Sequence, residues 1–174
     1  MVSLQPITMS YVEEDESCYP PPCSEPVYKT YNKGSVMDVL MTQSPLFAYL
    51  AQYSKLDNLL NYKEFNGTCF APCKEYSQKY WDLFYNKIDH LRAREIVLSS
   101  LIKAPMNVSQ LKEEQVLPTL GNAIDNLEFT TDCYNDLYVR TYGSNVVVKV
   151  VKTDIHCNNG IIHLLNGIVD NFII

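Results

Sequence analysis

Two hydrophobic periods divide this chain. Between Ser35 and Leu101 the apolar residues recur at three- and four-residue spacing, which lines one face of a helix. Between Asn126 and Val169 they alternate or run together, as strands require. In the first half, Ser35 and Asp38 read as an N-cap pair, with Val36, Val39 and Leu40 on the face behind them. Ser44-Pro45 reads as a cap and a first-turn proline, and Phe47, Leu50, Ala51 and Ser54 follow at helical spacing. Residues 56–60 predict a further short turn, and residues 68–72 a short strand. Residues 74–87 predict a helix with Tyr76, Tyr80 and Phe84 along its inner face. Trp81 and Tyr85 lie one position round and are candidate partner contacts. Asp89 is placed to cap the next helix, carrying Leu91, Val97, Leu98 and Leu101.

In the second half, residues 126–131, 137–142, 145–155 and 160–169 predict strands, with Gly143-Ser144-Asn145 as a hairpin turn. Asn159-Gly160 reads as a turn needing positive φ. Helices followed by strands predict an α+β fold. Residues 1–33 follow neither period. The acidic run Glu13-Glu14-Asp15-Glu16 precedes Cys18-Tyr19-Pro20-Pro21-Pro22-Cys23. This composition predicts an extended arm that has no core of its own and lies on its domain or on a partner. Tyr11, Tyr19, Pro20, Pro21 and Pro22 are its candidate contact residues. The expected division is thus an arm over 1–33 and a folded domain over 34–174.

Composition narrows the function. The net charge of −6 argues against a nucleic-acid partner. The hydrophobic fraction of 47% is that of a globular chain, and no window reaches the roughly 18 apolar residues of a membrane helix. Residues 1–10 lack the basic start and apolar run of a secretory signal, so a cytosolic start is expected. On that expectation Asn66-Gly67-Thr68 and Asn107-Val108-Ser109 are chance matches to the glycosylation pattern. Polyproline geometry would hold Cys18 and Cys23 roughly 15 Å apart, beyond the reach of a disulfide. Cys133 and Cys157 fall in separate strand regions, and their pairing is open.

Candidate chemistry is sparse. Cys69-Phe70-Ala71-Pro72-Cys73 invites a thiol-oxidoreductase reading. Its three-residue spacer departs from the Cys-x-x-Cys pair, and an extended backbone would part the two by about 13 Å. A strand-to-helix junction with Phe70 packed inward fits better. His163 shares a strand face with Ile161 and Leu165, so it reads as a satisfied core residue. His156, Cys157 and His163 match no four-ligand zinc spacing. There is no phosphate loop, dinucleotide glycine motif, His-Glu-x-x-His or Gly-x-Ser-x-Gly. No catalytic residue, metal or cofactor is expected.

The order of these segments resembles a fasciclin-like (FAS1) domain. Residues 34–40, 44–50 and 56–60 are similar to its opening helices. Thr68-Cys69-Phe70-Ala71-Pro72 resembles its Thr-x-Phe-Ala-Pro signature, and residues 117–122 the segment before its hairpins. Asn159-Gly160-Ile161-Ile162-His163 resembles its closing motif. The family-motif positions are Thr68, Phe70, Ala71, Pro72, Asn159, Gly160, Ile162 and His163. The resemblance covers residues 34–172 and implies a non-enzymatic interaction module. Where many members carry a receptor-binding Tyr-His pair, this chain has Ser99-Ser100. With the cytosolic start, this predicts a minor, cement-type component of a large assembly such as a viral capsid, with other assembly proteins as partners. A secreted or cell-surface adhesion protein is the alternative.

Overall fold

The computed structural model describes residues 29–77, 88–113, 116–122 and 126–169. The candidate contacts Tyr11, Tyr19, Pro20, Pro21, Pro22, Trp81 and Tyr85 lie outside them, as do Tyr80 and Phe84. The helical half contributes α1 (Val36–Gln43), α2 (Pro45–Tyr53), α3 (Asp57–Asn61) and α4 (His90–Leu98). Into it is set β1 (Gly67–Pro72), followed by a helical turn over residues 74–77. After α4 come β2 (Leu101–Ile102), α5 (Val108–Glu113), β3 (Val116–Leu117) and β4 (Leu127–Thr131). The chain closes through β5 (Leu137–Thr141), β6 (Val148–Cys157) and β7 (Gly160–Leu165). The fold is α+β, as the two periods predict.

The strands form one sheet in the order β2-β1-β7-β6-β5-β4-β3. β1 pairs with β7 in parallel, from Gly67 opposite Gly160 to Pro72 opposite Leu165. Every residue of both strands is buried. Alternate side chains serve two cores. Cys69, Ala71, Ile162 and Leu164 face the helices and pack with Met37, Leu40, Phe47, Leu50 and Ile96. Phe70 and Leu165 face the other way and pack with Leu111, Leu127, Phe129, Val139 and Val148. The Phe70 and Phe129 rings lie 5.4 Å apart although β7, β6 and β5 stand between their strands in the sheet. The sheet therefore curls over on itself. Register shifts between Val150 and Lys152, and between Lys152 and Ile155, fit this, because an unpaired residue bends and twists a strand.

Local expectations fare unevenly. The Ser35 hydroxyl accepts from the Asp38 amide at 3.1 Å, and the Asp38 carboxylate accepts from the Gly34 amide at 2.9 Å. The Asp89 carboxylate caps α4 through the Arg92 amide at 2.8 Å. Ser44 precedes Pro45, but its hydroxyl does not cap α2; it donates to the Pro72 carbonyl and ties the helix to the end of β1. Leu91 does not join the core: it is 72% exposed, and Leu101 belongs to β2 rather than to α4. Cys133 lies in the exposed β4–β5 turn and not in a strand.

The Asn159-Gly160 turn sits where expected, for a different reason. Neither residue adopts a positive φ; the left-handed backbone lies at Lys55, Asn66, Asn135, Asp154, Gly34 and Gly143. Gly160 is required by proximity. A Cβ there would sit 2.5 Å from the Gly67 carbonyl oxygen of β1 and 3.0 Å from Val36. Gly160→Ala must push the parallel strands apart, and is expected to cost about 2 kcal/mol, read from urea unfolding. The open glycine Gly143 has no heavy atom within 4 Å of such a Cβ but has φ +87°, so Gly143→Ala carries a backbone cost alone, about 1 kcal/mol.

Candidate functional site

The motif residues converge on the β1–β7 pair, and each is occupied by the fold. Asn159, at the tip of the β6–β7 hairpin, is buried against α1 and α3. Its side-chain oxygen accepts from the Val36 amide, the first residue of α1, at 2.7 Å. Its side-chain nitrogen donates to the Leu60 and Tyr62 carbonyls at 2.9 and 2.7 Å. One amide group thus satisfies an orphan donor at one helix start and acceptors at the end of another. Asn158 adds a backbone bond to the Gly34 carbonyl at 2.8 Å and a side-chain bond to the Lys33 carbonyl at 2.7 Å.

The other face of the strand pair holds the 103–107 loop. The Thr68 hydroxyl donates to the Ala104 carbonyl at 2.6 Å and accepts from the Met106 amide at 2.8 Å. His163 is fully buried, and its ring stacks on Phe70 with centroids 5.4 Å apart. Its Nε2 lies 2.8 Å from the Met106 carbonyl oxygen, and its Nδ1 accepts from the Asp154 amide at 3.1 Å. A carbonyl only accepts and an amide N–H only donates, so the ring is neutral and carries its proton on Nε2. Burial holds its pKa below the ordinary histidine value, against the opposing pull of the Met106 bond and the Asp154 charge. The expectation of a satisfied core histidine holds.

Three of the thiols, Cys69, Cys73 and Cys157, offer little nucleophilicity. Burial raises the Cys69 pKa well above the ordinary thiol value, and it raises that of Cys73 too, helped by the Glu75 carboxylate. Burial pushes Cys157 up to about 11, with the Asp38 charge adding to it. A reactive cysteine needs the opposite shift. Among the described residues no group of three or more His, Cys, Asp or Glu side chains is placed to hold a metal. Ser99 and Ser100, at the Tyr-His position, are buried at the end of α4, and the Ser100 hydroxyl returns to the Ile96 carbonyl at 2.9 Å. Beside them α4 and the 120–122 segment enclose a shallow groove of about 290 Å³, lined by Leu91, Arg94, Leu98, Leu120 and Gly121.

Two features were not foreseen. Asp57, at the start of α3, is buried and accepts from Lys29 Nζ at 2.7 Å and from the Tyr31 hydroxyl at 2.8 Å. Burial raises its pKa, but the bonds from Lys29 and Tyr31 outweigh that and hold the carboxyl below its ordinary value. Asn32 adds two bonds to Asn61, so residues 29–33 are moored on α3. The second is Asn107. Its side chain accepts from the Gln110 amide at 3.1 Å, and its own amide donates to the Gln110 side chain at 2.9 Å. That reciprocal cap starts α5, and the Asn-x-x-Gln spacing could have revealed it.

The deciding comparison is with families. A model of the fasciclin domain matches residues 43–170, most of the chain. The chain belongs to the fasciclin family. The fasciclin fold is seen in a solved FAS1 domain pair from the insect cell adhesion molecule fasciclin I, with a TM-score of 0.63 at 17% identity. The match covers 79% of this chain and 51% of that one, so this chain spans about half its length. No curated protein matches the chain. On this fasciclin domain Thr68, Asn159 and His163 stitch separate segments of the chain together.

Replacing Asn159 by Ala strands two buried backbone groups and the part-buried Tyr62 carbonyl, and is expected to cost about 3 kcal/mol in urea unfolding. Asn158→Ala, at a more exposed site, should cost under about 1 kcal/mol. In native protein at pH 7.4 a maleimide should label Cys133 readily, while Cys69 labels only after denaturation, as peptide mapping would show.

Proposed function

We propose that this fasciclin domain is a non-enzymatic protein-contact module, serving as a minor, cement-type component of a large assembly such as a viral capsid. Fasciclin domains are contact modules, and the family match carries that part of the reading. The observation that favours a structural role is that the polar motif residues on β1, β7 and the turn before β7 are all bonded within the fold. Contact must then be made elsewhere. Tyr62, Leu91, Tyr134, Tyr142 and Val147 are large apolar side chains more than half exposed, and the acidic, proline-rich segment before Lys29 is a second element. Ser99-Ser100 speaks against receptor capture through a Tyr-His pair. Among the described residues no helix is long and apolar enough to cross a membrane.

A surface adhesion role is the second reading, favoured by the likeness to a domain pair of an adhesion molecule. Asn66 bears on it directly. It is exposed, with φ 50°, at the turn into β1, where a glycan would meet no core. A mobility shift on endoglycosidase treatment that is lost in Asn66→Gln would favour adhesion.

Deletion of residues 1–28 tests the assembly reading. The truncated chain keeps Lys29, Tyr31 and Asn32, so its melting temperature is expected to match the full chain while its incorporation into the particle fails. Normal incorporation would contradict the reading. Deletion of residues 1–33 removes the buried Tyr31 and should lower the melting temperature by several degrees, since about 1 kcal/mol shifts a domain of this size by roughly 2–4 °C.

A further inference from the structure

We propose that His163 is an acid-operated clasp whose protonation frees the β6 bulge and the start of α5 while the β1–β7 pair and helices α1 to α4 stay folded. The arrangement is a closed circuit. The Asp154 amide donates to His163 Nδ1 at 3.1 Å. The Asp154 carboxylate in turn accepts from the Val108 amide, the first residue of α5, at 2.8 Å. Asp154 sits at the register shift between Lys152 and Ile155, with φ 58°, a backbone conformation that costs a non-glycine residue energy unless neighbours hold it.

A proton on Nδ1 undoes this from one atom. Nδ1 becomes a donor and faces an amide that is also a donor. The Met106 bond through Nε2–H survives, because that nitrogen donates in both states. The imidazolium instead attracts the Asp154 carboxylate. Turning that carboxylate inward takes it from the Val108 amide, and loss of the amide bond to Nδ1 removes a contact that holds residue 154 in its left-handed conformation. Val108, Leu111 and Met106 cover the second core, which holds Phe70, Ile102 and Leu127. Loss of the Val108 bond therefore loosens an apolar cover.

The charged and titratable groups around the ring are few. Asp154 and His156 come from β6, the first favouring protonation and the second opposing it. β1 presents the uncharged Thr68 and Phe70, and the 103–107 loop presents the Met106 carbonyl. The sign follows. The folded-state pKa lies below the unfolded one, so the stabilisation is full above about pH 6.5 and is lost as pH falls through the folded value.

Amide hydrogen exchange of the full chain between pH 7.5 and 5, corrected for intrinsic rates, tests this. The Asp154 and Val108 amides should open about tenfold more for each pH unit below about 6.5, until the folded form itself titrates. The Val36 amide, held by Asn159, and the Phe70 amide, held by the Ser100 carbonyl, should keep their protection. His163→Gln should remove the pH dependence at Asp154 and Val108. If that variant fails to fold, the wild-type comparison decides alone. Unchanged protection at Asp154 and Val108, or a loss in step with Val36 and Phe70, would overturn the clasp.

Discussion

The parallel pairing of β1 with β7 is the constraint on which the rest of this domain depends. Parallel strands cannot be joined by a tight turn, so residues 67–72 and 160–165 must meet across most of the chain. Once they meet, both strands are buried on both faces, and each face demands a cover. The helices supply one, and the curled hairpin half of the sheet supplies the other. Two glycines facing each other at the start of the pairing allow the backbones to approach. Contacts this distant in sequence are costly to close, so the pair is stable only when its seams are sealed.

The sealing is the work of the motif residues. Asn159 joins the hairpin tip to two helix ends, and Asn158 joins it to the residues just before α1. Thr68 and His163 hold the 103–107 loop against the opposite face. The polar groups on these strands are buried, and buried polar groups left without partners would each cost about 1–3 kcal/mol. Side chains so committed are parts of the domain's own bonding network. For this reason the motif identifies the fold, and on the proposed reading contact with partners falls to the exposed surface and the segment before Lys29.

Much of this was legible in the sequence where one residue type had one physical use. Ser35 and Asp89 read as caps and act as caps. The change of period near residue 126 separates helices from strands, and His163 among apolar neighbours reads as core. The misreadings occur where a residue type has two uses. Asn-Gly favours positive φ, but here the asparagine is a bridging amide and the glycine is a point of contact, which depends on a strand far away in sequence. Ser44 before proline could cap α2, but a nearby carbonyl at the end of β1 takes its hydroxyl. Asn107 matched an acceptor pattern for glycans and concealed a helix cap. β2 and β3 are two residues each, too short to show a period, and they exist only because a longer strand lies beside them. Asp57 gave no signal, since its partners Lys29 and Tyr31 lie in a segment that composition assigned to the arm.

The most direct test of this account is native-state hydrogen exchange of β1 and β7 across a urea series. The account predicts that the Phe70 and Leu164 amides exchange only through global unfolding, with the full denaturant dependence of the domain, and that the β4–β5 hairpin opens at lower free energy. Exchange of Phe70 and Leu164 through a partial opening, with β4 and β5 still protected, would contradict the central place given to the β1–β7 pair.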